Sequence, residues 1–573
     1  MAATTSETIT AATALHHYRG LNWGRQPTGY RDPMLGLLTL DLGTSAAKAA
    51  LLDLEGRFLA AASAEYPTIH TPDGGTEQDP AHWVRAARIA ITEVLPPGGE
   101  VAALCLTGQM QDLVLEGARG GVGGELHDVG GERQGGTSEH GEVRPAVLYT
   151  DLRAGTEAAE IRVTLARDSE DWDRIAGNLQ DASSCAAMFR RLARHEPESV
   201  RRTRGLVFGP AGHLAHVLGA GLHCDLTTAA ATGLLDARTR TWSPAVARAA
   251  GIDPALLPHL TSDAGEVVGR TDEAARALLG VLTGTPIVLA PGDAGAATLG
   301  ITGLAPGQDH ASLGTSGWIA SVRRAVEDLA ADGVSDRAVD DVPTPNPASH
   351  RLALGGGTDL HISAILAAGA AAAWARRAYL SGADATAADQ LLEARERERG
   401  RGPTGLLVLP SLVGERFPVR DDALRGAVLG IDATTGAPDL YAATLEGVAL
   451  ALSHALQAGG GDGAGDAGRT GGADGSGQVL PVVGGGAVSA PWRRILADVT
   501  GRPVLHADGS DATLLGAALA GADALGLDHG IVPLAAQGGH VTAPYPSAVA
   551  DYAALRPVHR RLYGAVAEVG RSS

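Results

Sequence analysis

Leu-Gly-Thr-Ser occurs twice in this chain, at Leu42–Ser45 and Leu313–Ser316, with the copies 271 residues apart in a sequence of 573. Each copy lies between apolar runs: Leu35–Leu40 and Ala49–Leu52 around the first, Ala311–Leu313 and Trp318–Val322 around the second. That pattern predicts a tight turn between two strands, with glycine supplying a positive φ. Hydroxyls and open backbone amides at such a turn can cradle phosphate oxygens. Two of them, one per half, could grip one polyphosphate from both sides. The competing reading is a pair of ordinary hairpins, and the neighbouring residues decide between them.

The first copy reads Asp41-Leu-Gly-Thr-Ser-Ala-Ala-Lys48. Asp41 closes an apolar strand and puts a carboxylate where a Mg²⁺ shell would need one. Lys48 opens the returning strand and is the only lysine in the chain, every other basic side chain except histidine being Arg. A solvated surface lysine is the plain alternative.

The length allows two domains with well-developed cores. Only 3% of residues are aromatic against 45% hydrophobic, so those cores must be built from Ala, Leu and Val. No apolar run is long enough to span a bilayer. Cys105, Cys185 and Cys224 lack metal-type spacing and are too few for a disulfide framework, which fits a reducing cytoplasm. A formal charge of −19 argues against sequence-independent nucleic-acid binding, but not against ATP, which needs only a local positive site and a metal.

Residues 1–33 carry no signal-peptide core and read as a disordered extension, with Met34 a candidate start. Segments 117–141 and 459–477 are dense in Gly, and read as inserted loops that bury too little to offset their ordering entropy. Glu327–His350 also reads as loop. Elsewhere short β-rich runs alternate with Ala-rich helical stretches, an α/β pattern of helix-covered sheets. Helices are predicted over Trp83–Val94 after Asp79-Pro80, over Leu440–Gln457 and over Trp492–Val499. A boundary near Gly303–Gly307 gives domains 34–303 and 304–566, each with one phosphate-turn candidate.

Asp293, in Pro-Gly-Asp-Ala-Gly, follows the apolar strand Ile287–Ala290, where α/β proteins place their ligand clefts. There it can take the proton of a hydroxyl that attacks phosphorus; equally, it can cap the helix that follows. Val482-Val-Gly-Gly-Gly-Ala-Val-Ser489 runs from strand into helix and lets backbone approach a flat ring or a phosphate. Ser489 stands where a dinucleotide fingerprint needs glycine, and no Walker sequence is present. Gly314-Thr-Ser-Gly-Trp318 is a near miss for a nucleophile elbow, and no His-Glu-x-x-His pair occurs.

Together these residues resemble the FGGY family of carbohydrate kinases, and among its members are most similar to xylulokinases. The likeness runs from about Leu35 to Val566. Its marks include Asp41-Leu-Gly-Thr-Ser with Lys48, Glu77-Gln-Asp-Pro80 with Trp83, Thr107-Gly-Gln-Met110 and Asp151-Leu-Arg153. Further marks are Arg194-His-Glu-Pro-Glu198, Gly292-Asp293, Ser312-Leu-Gly-Thr-Ser-Gly317 and Gly414-Glu-Arg416 with Pro418. The series closes with Leu445-Glu-Gly447, Gly484-Gly-Gly-Ala487 with Ser489 and Trp492, and Ala497-Asp498.

The resemblance implies two actin-like (ribonuclease H-like) ATPase domains with ATP and sugar in the cleft between them. It implies Asp293 as general base, with Asp41 and Asp293 near Mg²⁺. Thr44, Ser45, Lys48, Gly314 and Thr315 would meet phosphates, and Gly485, Gly486, Ala487 and Ser489 would line the nucleotide site. Met110, Gln111, Tyr149, Asp151 and Asp293 would meet the sugar. Dimers are common among such relatives, but nothing in the sequence fixes an interface. Three positions depart from the xylulokinase pattern: Gln111 stands where His is usual, Ala294 where Asn is usual and Tyr149 where Trp is usual. All three fall where sugar would be gripped. D-Xylulose is the leading substrate, with another ketose, a polyol or a sugar acid such as gluconate as alternatives. A non-catalytic sugar- or nucleotide-sensing relative is the reading from another class.

Overall fold

The structure, a computed structural model, describes residues 36–96, 98–118, 141–325, 348–458, 478–506 and 511–572. The 1–33 extension, nearly all of segment 117–141, all of 459–477 and most of Glu327–His350 lie outside the described residues. His350, read as loop from the sequence, opens a strand.

Numbered in chain order, the strands of the first large sheet are β1 (Gly36–Leu42), β2 (Ala46–Leu52), β3 (Phe58–Glu65), β4 (Val101–Gly108), β5 (Glu266–Arg270) and β6 (Pro286–Leu289). Those of the second are β7 (Asp309–Leu313), β8 (Gly317–Arg324), β9 (His350–Leu354), β10 (Thr358–Ile365), β11 (Leu480–Val483), β12 (Val504–His506) and β13 (His540–Thr542). The orders are β5-β6-β4-β1-β2-β3 and β9-β10-β8-β7-β11-β12-β13. Each sheet is built around an antiparallel hairpin, β1–β2 or β7–β8. A third strand pairs antiparallel outside the hairpin, β3 or β10. On the other side two parallel partners follow, β4 then β6 or β11 then β12. The duplicated tetrapeptide therefore marks a duplicated topology.

Residue patterns account for the strand positions. Central β1 is buried along its whole length, as a strand covered on both faces must be, whereas β3 alternates between half-buried and exposed positions at the sheet edge. The helices that matter for the site are α1 (Pro80–Val94), α2 (Leu226–Ala231), α3 (Asp293–Thr302), α4 (Gly369–Tyr379), α5 (Ala437–Ala458), α6 (Ala490–Thr500), α7 (Ala512–Ala524) and α8 (Pro546–Ser572). The Asp79-Pro80 start is realised in α1: the Asp79 carboxylate accepts the Ala81 N–H at 3.1 Å and Pro80 occupies the first turn. Helix α8 continues past residue 566, where the sequence placed the end of the domain.

Helix α7 belongs to the second half by sequence, yet covers one face of the first sheet. Leu514, Leu515 and Ala518 pack with Leu37, Ala103, Cys105 and Val288 in one buried cluster. It crosses α3 at backbone contact. A Cβ on Gly516 would lie 1.8 Å from the Ala296 carbonyl oxygen, and one on Gly300 2.0 Å from that of Ala512. Gly516→Ala gains about 1 kcal/mol of helix propensity but must force two backbones apart, a clash that costs ~3 kcal/mol. The variant is expected to melt several degrees lower. Equal or higher thermal stability would refute this account of the crossing.

Candidate active site

The first turn is fixed by its carbonyls. Gly43 O accepts from the Tyr66 hydroxyl, Thr44 O from Gln78 Nε2 at 2.6 Å, and Ser45 O from Tyr66 N at 3.0 Å. Gln78 is itself locked, its Oε1 accepting from Trp83 Nε1 at 2.8 Å and Gln109 Nε2 at 3.0 Å. Among the described residues the N–H groups of Thr44 and Ser45 find no acceptor, and both residues are exposed. The second turn repeats the arrangement with different partners. Gly314 O accepts from Gly369 N at 2.8 Å, and Thr315 O from Ala368 N and Ala370 N at 3.0 Å each. Buried Glu415 steadies that support by accepting the Leu366 N–H at 3.1 Å. Thr315 and Ser316 are exposed, and their N–H groups find no acceptor among the described residues. Each turn thus presents amides and hydroxyls outward, the constellation that binds phosphate. Contrary to the sequence expectation, neither Gly43 nor Gly314 adopts a positive φ. A Cβ at either would find only ordinary contacts, 3.6 Å and 3.5 Å away, so turn geometry does not require glycine there.

The glycine run lies beside the second turn because β11 pairs with β7. Gly484 has a φ of 91°, and a Cβ there would lie 2.8 Å from the Leu313 carbonyl carbon. Gly486 lies under the Trp492 ring, 2.6 Å from where its Cβ would be, while Gly485 is open. Ala487 and Ser489 are placed differently from expectation. Ala487 is wholly buried, with its N–H on Gly484 O and its carbonyl on Arg493. The Ser489 hydroxyl caps α6 by accepting Trp492 N and donates to Asp389 Oδ1 at 2.7 Å. Val488, passed over in the sequence, is 68% exposed beside them.

Asp293 is the first residue of α3, with Gly292 in the cap position, so it is not the N-cap the sequence allowed. Its Oδ1 accepts the Ala294 N–H at 2.7 Å. The backbone before it is pinned twice, by Thr107 Oγ1 donating to Pro291 O at 2.6 Å and by Asp225 Oδ1 accepting Gly292 N at 2.9 Å. Asp225 also caps α2, a role that hid it from sequence reading. Met110 packs on Gly292, where any Cβ would fall 2.3 Å from its sulfur. Asp293 keeps part of its surface open, yet burial pushes its carboxyl up to about 6, against the pull of the Ala294 N–H and with help from the Asp225 charge.

The residues expected at the sugar divide. Tyr149 is 38% exposed, and its hydroxyl lies 3.3 Å from Thr44 Oγ1, joining this segment to the first turn. Gln111 sits at a φ of 67°, and its Nε2 donates to Ser183 O at 2.7 Å and Ser183 Oγ at 3.1 Å. Asp151 is committed to protein partners. It is buried, and its oxygens accept from Thr76 N at 2.9 Å and from the Arg153 side chain and backbone. An ion-pair network with Arg153, Glu77 and Asp73 explains its place in the motif. Glu446 and Asp498 are likewise scaffolding, holding Thr404 and Arg401 respectively.

Asp41 pairs in register with Lys48, whose Nζ donates to Asp511 Oδ2 at 2.8 Å. Asp511, the N-cap of α7, was missed because its signal is that of an ordinary cap. Asp41 is buried, and its Oδ1 has no hydrogen-bond partner among the described residues. Burial and the charges of Asp511 and Asp293 push it up to about 7, with Lys48 opposing. An unpartnered buried carboxylate oxygen facing further carboxylates is a fitting ligand for Mg²⁺. Among the described residues no group of three His, Cys, Asp or Glu side chains is arranged to hold a metal. Phosphate oxygens and water would therefore have to complete the ion's shell.

Two sheets of one topology, each carrying an outward amide-and-hydroxyl turn, with a buried acid beside the first and an aspartate at the head of α3, define a phosphotransferase of the actin-like ATPase fold. The N-terminal domain model of the FGGY family of carbohydrate kinases matches residues 36–118 and 138–300, and its C-terminal domain model matches residues 311–525. The chain belongs to this family and is an ATP-using sugar kinase. It is 30% identical over 502 residues to a xylulose kinase of Streptomyces rubiginosus, covering 87% of this chain and 89% of that one. It is 28% identical to a glycerol kinase of Rhodospirillum centenum, covering 84% and 88%. The solved structure of a xylulose kinase from Brucella ovis superposes with a TM-score of 0.75 at 26% identity, covering 93% of this chain and 99% of that one. Among the described residues no helix is long and apolar enough to cross a membrane.

Proposed function

We propose that this kinase moves the γ-phosphate of Mg-ATP to a hydroxyl of a ketopentose, D-xylulose first. The observation that carries the phosphoryl-transfer chemistry is the pair of turns whose carbonyls are tied to protein while their amides and hydroxyls face outward. The xylulose kinases among its relatives support the sugar. Thr44, Ser45, Gly314 and Thr315 hold phosphate oxygens, and Gly485 and Gly486 admit the nucleotide. Lys48 holds Asp511 beside them. Met110, Gln111 and Tyr149 border the sugar. Asp41 and Asp293 would hold Mg²⁺, which would supply charge neutralisation to the phosphate oxygens. Asp293 accepts the proton of the sugar hydroxyl as that oxygen bonds phosphorus and the bond to the ADP oxygen breaks. The chain's cysteines are free and buried, which suits the reducing cytoplasm proposed as its compartment.

The test is ADP release from Mg-ATP with D-xylulose, other ketoses and glycerol offered in turn. D-Xylulose is expected to raise the rate at least ~10-fold over ATP alone and to give the highest kcat/KM. Stimulation by glycerol with none by D-xylulose would transfer the assignment to a polyol.

A further inference from the structure

The segment from Asn178 to Ser184 belongs to the first half of the chain and is tied to the second half twice. At its start the Asn178 side chain makes two bonds to the backbone of Arg351 in β9, Nδ2 donating to the carbonyl and Oδ1 accepting the N–H, each at 2.6 Å. Further on, Asp181 bonds in two directions. Its Oδ2 accepts from Arg420 Nη2 at 3.0 Å, across 239 residues of sequence. Its Oδ1 accepts the Ser183 N–H at 2.9 Å and the Ser183 hydroxyl at 2.7 Å.

Those bonds decide what Ser183 can offer next. Its hydroxyl hydrogen is spent on Asp181, so its Oγ and its carbonyl oxygen can only accept. Gln111 must therefore turn its amide nitrogen toward Ser183, and Nε2 donates to Ser183 O at 2.7 Å and to Ser183 Oγ at 3.1 Å. The amide oxygen is left to accept from a sugar hydroxyl. Gln111 holds this place with a φ of 67°, a strained conformation that persists where the surroundings enforce it.

Arg420, on the other side, belongs to the loop that supports the second phosphate turn. Its neighbour Asp421 exchanges both backbone bonds with Glu415, at 2.9 and 3.0 Å. The Glu415 carboxylate accepts from Leu366 N at 3.1 Å and from the Ser411 hydroxyl at 2.8 Å, and the amides of residues 368–370 hold the carbonyls of Gly314 and Thr315. One series of contacts thus runs from Gln111 to the second turn, and the Asp181–Arg420 pair is where it crosses between the halves.

Resting on the reading above that Gln111 borders the sugar, we propose that Asp181 and Arg420 are positioning residues: their ion pair clasps the two halves and, through Ser183, sets the Gln111 amide for the acceptor sugar. Both side chains are partly exposed, and a pair of that kind adds little to stability. Its effect is on geometry, and it weakens as salt is raised.

The test uses the best sugar from the panel above. Asp181→Asn keeps an oxygen for Ser183 while losing the charge, and Arg420→Gln removes the other partner. Each is expected to raise the KM for sugar about 3–10-fold, with kcat and the KM for ATP changing less than about twofold. Melting temperatures should stay within about 2 °C of the wild type. In a Gln111→Ala background neither substitution should raise the sugar KM further, because the pair acts through Gln111. High salt should move the wild-type KM toward that of Arg420→Gln and leave the variant's unchanged. Full additivity with Gln111→Ala overturns the proposal. So does an unchanged sugar KM in the folded ion-pair variants when Gln111→Ala raises it, and that result leaves Gln111 at the sugar. An unchanged sugar KM in Gln111→Ala overturns the placement of Gln111 and the proposal with it. A best substrate other than D-xylulose overturns only the sugar named above.

Discussion

Asp293→Asn is expected to lower kcat by about 10²–10⁴-fold, the usual contribution of a positioned general base, with the KM for ATP shifting by less than about threefold. The substitution separates the two roles open to this residue. As a helix-terminal acceptor for the Ala294 N–H, Asn serves nearly as well as Asp. As a base it cannot serve. A purely structural Asp293 therefore predicts near-wild-type turnover, and that result would sink the catalytic assignment. The structure also predicts the pH profile. With the carboxyl pushed up to about 6 by burial and by Asp225, the base is mostly ionised at pH 7 and protonates as pH falls. The wild-type kcat/KM should decline below about pH 6, tenfold per pH unit, while the residual activity of the variant should lack that limb.

Asp41→Asn should abolish Mg-ATP turnover and yet make the nucleotide-free protein more stable above pH 7. Burial and the neighbouring charges of Asp511 and Asp293 raise the Asp41 carboxyl from 3.8 to about 7. The folded chain therefore binds this proton more tightly than the unfolded chain. Stability must then fall as pH rises from about 4 through 7, and the penalty is complete above the folded value. At about 1.4 kcal/mol per pH unit, the ionised side chain costs the fold on the order of 4 kcal/mol. Asn has the same shape without the charge, so the variant should melt several degrees higher at pH 8, with the gain disappearing near pH 4. Magnesium nucleotide should raise the melting temperature of the wild type and have little effect on the variant. A lower melting temperature for the variant at pH 8 would show instead that the fold depends on the Asp41 charge.

Gains of this kind on removal of a functional group are expected where a site stores unfavourable electrostatics for use with a ligand. Here the Asp41 and Asp293 carboxyls are both held above the usual carboxylate range, by burial first and then by neighbouring aspartates, Asp511 beside Asp41 and Asp225 beside Asp293. Those two neighbours, Asp225 and Asp511, offset part of that cost by capping α2 and α7.

What was legible in the sequence is what a few consecutive residues encode. The hairpins at Leu42–Ser45 and Leu313–Ser316, the start of α1 at Asp79-Pro80 and the strand before Asp293 follow from apolar patterning and local caps. The glycines of the two turns predict a positive φ by local rules, and the backbone does not use one. Asp151 and Ser489 depart from expectation differently, because the same residue types serve ligand binding and scaffolding, and only their partners distinguish the two.

By itself the sequence determined the duplicated sheet unit, the two turns and the strand that leads to Asp293, since each depends on hydrogen bonds and side-chain periodicity within about ten residues. The tertiary structure alone decided which groups meet. Lys48 reaches Asp511 across 463 residues, Thr107 reaches Pro291 across 184, and α7 crosses back beneath the first sheet. Such meetings depend on how whole elements pack, and in a close-packed interior a single glycine at a helix crossing can determine whether they occur.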